Sequence, residues 1–285
     1  MLHIVTVATH SERYLPVLEK QVEDKNLKLV KLGMGKKYSG HSMKDLEMIE
    51  YLKGINKEDI VVFLDGFDSL MLANQEEVLE KFKALDAKLV LSIENVGALR
   101  FIHATIFESV QDFYLNTGLY MGYAGFLLKF LQDMYKDNNF THPSNQKTWS
   151  TYLKGLERDK KFDGIVLDKN SDIFLNHSFT TANYPYLKKD RLHLDKKTKP
   201  CFIQGNGCED MSHIIKATGH KKYDIHKDTY WRDKIKYSTK AIFKIYNPIL
   251  TFYIYLIIIL VFILGFFVYR WYKNRKNTNF YIMSF

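Results

Sequence analysis

Short apolar segments alternate with helical patterns along the chain, and this alternation constrains the fold more than any other feature. Strand-length apolar runs begin at His3, Leu27, Ile60 and Lys88, and each of the first three precedes a segment of helical periodicity. Regular alternation of this kind builds βαβ units, in which a helix connects two parallel strands. The sequence therefore predicts an α/β domain with a mostly parallel sheet.

The predicted elements continue into the second half of the chain. The predicted strands are 3–8, 27–32, 60–64, 88–93, 119–124, 164–167 and 201–204, and the predicted helices are 14–24, 43–52, 75–85, 126–136 and one that follows Ser144 or Asn145. With 285 residues and 46% hydrophobic content, the chain can bury one substantial core. We expect one such domain plus an appendage.

The appendage is an uninterrupted uncharged run from Ile249 to Tyr269. Its length matches the roughly 20 residues that a helix needs to cross a bilayer, and aromatic residues near both ends suit the membrane interfaces. The predicted organisation is a folded domain at 1–230, a basic juxtamembrane segment at 231–248, a transmembrane helix at 249–269 and a short basic tail at 270–285.

Basic residues flank this run on both sides, so the positive-inside rule does not orient it. The start, MLHIVTVATHSERYL, has no basic leader and no long apolar segment of a secretory signal. We expect a tail-anchored protein whose domain lies in the cytosol, with a lumenal domain as the alternative. A glycan on either sequon, at Asn139 or Asn176, would favour the lumen.

The amino-acid composition indicates the charge of the expected partners but not their identity. The net charge of +9, from 41 Lys and Arg against 32 Asp and Glu, favours anionic partners such as nucleotides or an acidic membrane surface. Two cysteines, Cys201 and Cys208, are too few for a disulfide framework and fit a reducing compartment better than an oxidising one.

Two carboxylates follow the predicted strand at 60–64. Asp65 comes directly after five apolar residues and Asp68 three positions later, with Gly66 between them. Ligands of open α/β sheets bind beyond the carboxyl ends of the strands, and paired carboxylates suit a hard cation, Mg²⁺ or Mn²⁺. Such a metal can neutralise a diphosphate leaving group. An ordinary turn capped by Asp68 is the alternative.

Other phosphate and hydrolytic chemistries fit the sequence less well. The segment GMGKKYSG at 33–40 lacks the spacing of a phosphate-binding P-loop. A haloacid-dehalogenase-type phosphatase would place its aspartates two apart after the first strand, whereas here they lie three apart after the third. The sequence also has no zinc-binding His/Glu helix, cysteine cluster or serine elbow.

Eight segments in a fixed order carry a resemblance to a known family. They are VTVAT (5–9), LGMG (32–35), Lys44, FLDGFD (63–68), SIE (92–94), YLNTGLYMGYA (114–124), LDKNSDIFLN (167–176) and IQGNG (203–207). Together they resemble the glycosyltransferase domain of the procollagen lysyl hydroxylase family, including relatives in large DNA viruses. The resemblance implies a GT-A fold, with a Rossmann-like mixed sheet and flanking helices.

The resemblance also implies a site for a UDP-sugar and Mn²⁺, or Mg²⁺. Asp65 and Asp68 match the metal-binding aspartates, and Gln204 stands where the family has a third ligand, a histidine. The residues implied at the donor are Thr6 and Thr9 near uridine, Lys44 near the phosphates, Asn116, Thr117 and Gly118 beside the sugar, and Gly205, Asn206 and Gly207 over the diphosphate.

Three positions depart from the family pattern: Gln204, Asn145 in place of an acidic residue, and Leu119 in place of a glycine. A glutamine carbonyl is acceptable to hard cations, whereas Asn145 of the candidate catalytic set cannot act as a general base. We assign the base to Glu94 or Asp172.

The sequence thus predicts a membrane-anchored, metal-dependent glycosyltransferase that moves a hexose from a UDP-sugar to a hydroxyl acceptor on a protein or glycan. Hydroxylysine of a collagen-like protein is the acceptor that the resemblance suggests, and no nucleic acid partner is expected. Because the three departures lie in the matched pocket, a catalytically silent nucleotide-sugar-binding or scaffolding membrane protein is the alternative.

Overall fold

The computed structural model describes residues 1–94, 104, 106–136, 144–177, 191–193, 196–206, 209–217 and 248–282. The chain divides into two compact units, Met1–Ile235 and Lys236–Phe285. The strands of the first unit are β1 (Leu2–Val7), β2 (Leu29–Leu32), β3 (Ile60–Leu64), β4 (Ser69–Met71), β5 (Leu89–Ile93), β6 (Leu115–Tyr123), β7 (Ile165–Leu167), β8 (Phe174–His177) and β9 (Phe202–Gly205). Its helices are α1 (Leu15–Glu23), α2 (Ser42–Lys53), α3 (Gln75–Ala84), α4 (Ala124–Lys136), α5 (Asn145–Arg158) and α6 (Ser212–Ala217).

Six strands form the main sheet, in the order β2-β1-β3-β6-β5-β7. Strand β1 runs parallel to β2 and β3, and β5 runs parallel to β7. Strand β6 is antiparallel to both of its neighbours, β3 and β5, which makes the sheet mixed. The predicted α/β class, with a mixed sheet and flanking helices, is confirmed.

Strand β3 shows why the sequence folds this way. Its five residues, IVVFL, are all buried, because successive side chains of a strand point to opposite faces of the sheet and both faces here are covered. Val62 and Leu64 pack on one face with α1 and α3. Val61 and Phe63 pack on the other face with α2, α4 and α5. The core therefore lies on both sides of the main sheet.

A second, smaller sheet has the order β4-β9-β8. Strand β4 pairs antiparallel with β9, which places Ser69 opposite Gln204, and β8 pairs parallel with β9. The chain passes from the main sheet to this small sheet in the turn between β3 and β4. The small sheet thereby brings β9 next to the carboxylates of that turn.

The second unit contains one described helix, α7 (Pro248–Ile282). Its segment Tyr253–Trp271 is long and apolar enough to cross a membrane, and it is the only helix in the described ranges that meets this test of length and composition. The predicted apolar C-terminal helix is therefore present.

Candidate active site

The turn between β3 and β4 holds both aspartates at the junction of the two sheets. The Asp65 N–H donates to the Gly118 carbonyl on β6 at 2.8 Å, and the Gly205 N–H on β9 donates to the Asp68 carbonyl at 2.7 Å. These two backbone bonds tie the turn to a strand of each sheet. The position of both carboxylates is therefore fixed by the sheets and not by the turn alone.

Gln204 joins the two carboxylates from β9. Its Nε2 donates to Asp65 Oδ2 at 3.2 Å and to Asp68 Oδ1 at 3.2 Å. The side chain lies against Gly118, where a Cβ would stand 2.3 Å from Gln204 Oε1 and 2.4 Å from Nε2. Real Cβ atoms do not approach so closely, so the glycine at 118 leaves the space that Gln204 occupies. The three predicted metal-site residues thus meet in one cluster.

Lys44, from the first turns of α2, forms an ion pair with Asp65. Burial alone would lower the pKa of Lys44, but the charge of Asp65, its hydrogen bond and the charge of Asp68 together outweigh burial, so the pKa is raised. Burial, followed by the negative charge of Asp65, raises the pKa of Asp68. A site that favours the proton on one of two neighbouring carboxylates is short of positive charge.

Among the described residues, no three His, Cys, Asp or Glu side chains gather as a metal site. The cluster here instead consists of two carboxylates and one amide. Gln204 Oε1 is buried and has no hydrogen-bond partner within the described ranges. Because the oxygen and nitrogen of an amide exchange places when its terminal torsion turns, the same side chain can present that oxygen toward the carboxylates. Three oxygen ligands of this kind fit Mg²⁺ or Mn²⁺.

Glu94 follows β5 and lies between two of the predicted donor-site residues. Its Oε1 accepts from Asn116 Nδ2 at 2.9 Å and from Asn206 Nδ2 at 2.7 Å, and its Oε2 accepts from Asn206 Nδ2 at 2.9 Å. Burial raises the pKa of Glu94 to about 7, although these hydrogen bonds oppose the shift. A carboxylate with such a pKa can accept a proton near neutral pH.

Thr117 and Asn145 form a further contact on β6 and α5. The Thr117 hydroxyl donates to Asn145 Oδ1 at 3.3 Å, and both side chains are buried. Asn116 Oδ1 accepts from the Gly118 N–H at 2.7 Å, which holds the NTG segment in a tight local conformation. The predicted sugar-site residues are therefore contiguous with the aspartate cluster through Gly118.

The predicted uridine residues lie at the end of β1. Thr6 is fully buried, and its Oγ1 lacks a hydrogen-bond partner in the part of the chain that the structure describes. A Cβ on Gly66 would stand 2.7 Å from that oxygen, so Gly66 lets the turn approach β1. Thr9 is half-buried, and its carbonyl accepts from the Gly35 N–H at 2.9 Å. Gly207 lies outside the described residues.

Asp172 belongs to a different place in the fold. It precedes β8, whereas Asn176 and the cluster around Gln204 lie toward the other end of that strand, where Asn176 is opposite Gln204. Four residues of strand extend about 13 Å. The Asp172 carboxylate lies instead near Asp168 and Lys196. Burial raises the pKa of Asp168 and lowers the pKa of Lys196, and the charge of Asp172 makes a smaller contribution to each. Because Glu94 lies beside the predicted donor-site residues and Asp172 does not, the structure favours Glu94 as the candidate base.

Asp45 is a buried carboxylate that sequence reasoning missed. It is fully buried on α2, where its Oδ2 accepts from Tyr135 Oη at 2.6 Å and from Trp149 Nε1 at 3.1 Å. A signal was present, because position 45 lies three, four and seven residues before Met48, Ile49 and Leu52 on the apolar face of the predicted helix.

One of the two sequons is buried. Asn176 is 3% exposed, and its Nδ2 donates to Ser92 Oγ and to the Ile93 carbonyl. A folded chain cannot accept a glycan there, so only Asn139 can report topology, and it lies outside the described residues.

Comparison with known proteins assigns the chain to a family. Residues 1–215 match the model of the PLOD GT domain. The chain is 26% identical over 218 residues to protein R699 of Acanthamoeba polyphaga mimivirus, a match covering 71% of this chain and 45% of the relative. It is 27% identical over 224 residues to procollagen-lysine,2-oxoglutarate 5-dioxygenase 1 of Gallus gallus, covering 72% of this chain and 30% of the relative. The chain thus spans less than half the length of these relatives.

A solved structure of the galactosyltransferase LgtC in complex with donor and acceptor sugar analogs superposes with a TM-score of 0.44 at 16% sequence identity. This superposition covers 82% of the present chain and 100% of the other.

Proposed function

Because the chain belongs to the PLOD GT domain family, we propose that it is a membrane-anchored, metal-dependent glycosyltransferase. In this proposal the donor is a UDP-sugar, and a hexose passes to a hydroxyl group of a protein or glycan. Hydroxylysine of a collagen-like protein is the acceptor proposed from the relatives whose names refer to procollagen lysine. The membrane anchor is the apolar helix α7.

The observation that carries the proposal is the meeting of Asp65, Asp68, Gln204 and Lys44 at the junction of the two sheets. These residues come from the turn after β3, from β9 and from α2, so only the folded chain unites them. Paired carboxylates with one amide oxygen suit a hard cation that keeps open positions for phosphate oxygens. Lys44 adds a positive charge beside the Asp65 carboxylate.

Asp65, Asp68 and the Gln204 oxygen would hold the cation, because Gln204 contacts both carboxylates and brings the three side chains together. The metal, when bound, neutralises the charge that develops on the departing diphosphate. Lys44 adds to this stabilisation as a point charge. Its ion pair with Asp65 keeps the ammonium group in the site before a donor binds.

Glu94 is the proposed general base. Its carboxylate is held by Asn116 and Asn206, and its pKa of about 7 matches it to a proton from an acceptor hydroxyl near neutral pH. Asn206 comes from the segment after β9, and Asn116 comes from the NTG segment beside Gly118. Glu94 therefore connects the NTG segment of β6 with the segment after β9, the two segments proposed to enclose the donor.

The alternative is a nucleotide-sugar-binding or scaffolding protein without turnover. One observation favours it: the Gln204 amide bridges both aspartates, so their charges have hydrogen-bond partners without a cation. Under this alternative the chain binds a UDP-sugar and releases no UDP.

The test is UDP release by the full chain in detergent, with Mn²⁺ and a panel of UDP-sugars. We expect release from the wild type and loss of metal-dependent release in Asp65→Ala and in Asp68→Ala. Asp163→Ala, which changes a carboxylate that is 96% exposed, is the matched control and should retain release. Full activity in either site variant contradicts the metal assignment, and donor binding without release supports the alternative.

A further inference from the structure

A buried carboxylate stands behind the proposed donor site. Asp45, on α2, is fully buried against α4 and α5. Tyr135 Oη and Trp149 Nε1 both donate hydrogen bonds to its Oδ2. Its other oxygen, Oδ1, is buried and has no hydrogen-bond partner among the residues that the structure describes. Burial raises the pKa of Asp45 to about 6. An acid kept in such a place despite the cost of burial calls for a role beyond packing.

Asn145 supplies the group that complements this free oxygen. Its Nδ2 is also buried and also without a partner in the described part of the chain. Asn145 and Trp149 lie one turn apart on α5, and Trp149 donates to Asp45, so the Asn145 amide lies on the helix face that meets the carboxylate. Its effect on the pKa of Asp45 is to oppose the larger shift due to burial. An ionised carboxylate only accepts hydrogen bonds and an amide NH₂ only donates them. Asp45 therefore favours the orientation in which Asn145 turns its nitrogen inward and its oxygen outward.

The Asn145 oxygen that faces outward determines whether the Thr117 hydroxyl can donate or only accept a further hydrogen bond. Asn145 Oδ1 accepts the Thr117 hydroxyl hydrogen at 3.3 Å. A hydroxyl that has committed its one hydrogen offers only lone pairs to any further partner. Thr117 lies between Asn116, which binds Glu94, and Gly118, which contacts Asp65 and Gln204.

We propose that Asp45 is a positioning residue that orients Asn145, so that Thr117 presents its oxygen as a hydrogen-bond acceptor to a hydroxyl of the donor hexose. This inference rests on the proposed function, because it assigns a sugar contact within that donor site. It extends the site to a residue on α2 that touches no substrate. The series Asp45, Asn145, Thr117 is called the amide relay below.

The experiment compares the affinities of the full chain in detergent for UDP alone and for a UDP-hexose. Calorimetry with Mn²⁺ gives both dissociation constants, with UDP-glucose and UDP-galactose as probes. The relay contacts the sugar and not the nucleotide. Asp45→Asn should therefore weaken binding of the preferred UDP-hexose about two- to tenfold, the range for one hydrogen bond, and leave UDP affinity unchanged.

Two further variants separate the relay from a loss of packing. The double variant Asp45→Asn/Asn145→Asp moves the carboxylate to position 145, where it accepts the Thr117 hydrogen directly, so hexose affinity should recover. Tyr135→Phe removes a donor to Asp45 but keeps the carboxylate, and it should leave the ratio of the two affinities unchanged. If the double variant stays as weak as Asp45→Asn, the relay is wrong.

Thr117 provides a test that does not depend on Asp45 variants folding. Thr117→Ser keeps the hydroxyl and should keep the preference for UDP-hexose over UDP, whereas Thr117→Val should reduce it about two- to tenfold. An unchanged preference in Thr117→Val overturns the inference. A wild type that binds UDP and gains nothing from the hexose also overturns it, while leaving UDP binding intact. A wild type that does not bind UDP contradicts the proposed function as well.

Discussion

Replacing Glu94 with glutamine should remove part of the pH dependence of folding stability. Glu94 is 7% exposed, and burial raises its pKa from 4.5 to about 7. Below pH 4.5 the group is protonated in both the folded and the unfolded chain. As the pH rises toward 7, the unfolded chain ionises first, so the folded state loses stability.

The expected size follows from the two pKa values. Raising a pKa from 4.5 to about 7 corresponds to about 3 kcal/mol at roughly 1.4 kcal/mol for each pKa unit. Most of this loss, about 2 to 3 kcal/mol, falls between pH 5 and pH 8. Between pH 5 and pH 8, the unfolding free energy of Glu94→Gln should therefore fall by about 2 to 3 kcal/mol less than that of the wild type. The comparison between two pH values cancels the pH-independent effect of placing an amide beside Asn206.

Urea unfolding of the full chain in detergent measures this difference, with tryptophan fluorescence, to which the buried Trp149 contributes, as the signal. Glu80→Gln is the matched control, because it removes the same charge from the exposed face of α3. The control should follow the wild type at both pH values. Equal losses of stability in Glu94→Gln and the wild type would refute the raised pKa, and with it the main physical support for Glu94 as the base.

Three further predictions concern the cluster of Asp65, Asp68 and Gln204 and the start of helix α3. Gly118→Ala should destabilise the fold by about 1–3 kcal/mol in urea unfolding, because its Cβ would meet Gln204 at 2.3 Å; unchanged stability would contradict the packing described. Gln204→His should tighten Mn²⁺ binding in calorimetry, since an imidazole is a stronger ligand for Mn²⁺ than a neutral amide, and an unchanged affinity would show that Gln204 does not face the metal. Asn74→Ala should cost about 1 kcal/mol of unfolding free energy, because Asn74 Oδ1 caps α3 by accepting from the Glu77 N–H at 3.0 Å; no change would contradict the cap.

Much of the main sheet is predictable from the sequence because its signals are local. The predicted strand at 60–64 matches β3, since burial of both faces leaves a continuous apolar run. The short strands β4 and β8 were not predicted. They contain three and four residues, and they form only because β9, far away in sequence, pairs with both. The antiparallel direction of β6 is likewise a property of the assembled sheet.

The candidate site also combines residues that the sequence identifies with contacts that only the folded chain forms. Asp65 and Asp68 are recognisable because they directly follow a strong strand, and Glu94 because it follows another. The contact of Gly118 with Gln204 depends on how the small sheet packs against β6, which no local pattern reports. For Asp45, the helical period places a carboxylate on the apolar face of α2. Only the structure supplies its partners from α4 and α5.

The affinity of the full chain for UDP, measured with and without Mn²⁺, tests the proposed metal site most directly. Mn²⁺ should tighten UDP binding in the wild type, because a cation held by Asp65 and Asp68 would offset the charge of the diphosphate. Asp68→Ala should lose this effect and Asp163→Ala should keep it. Equal UDP affinity of the wild type in the presence and absence of Mn²⁺ would contradict a metal–diphosphate site at Asp65 and Asp68.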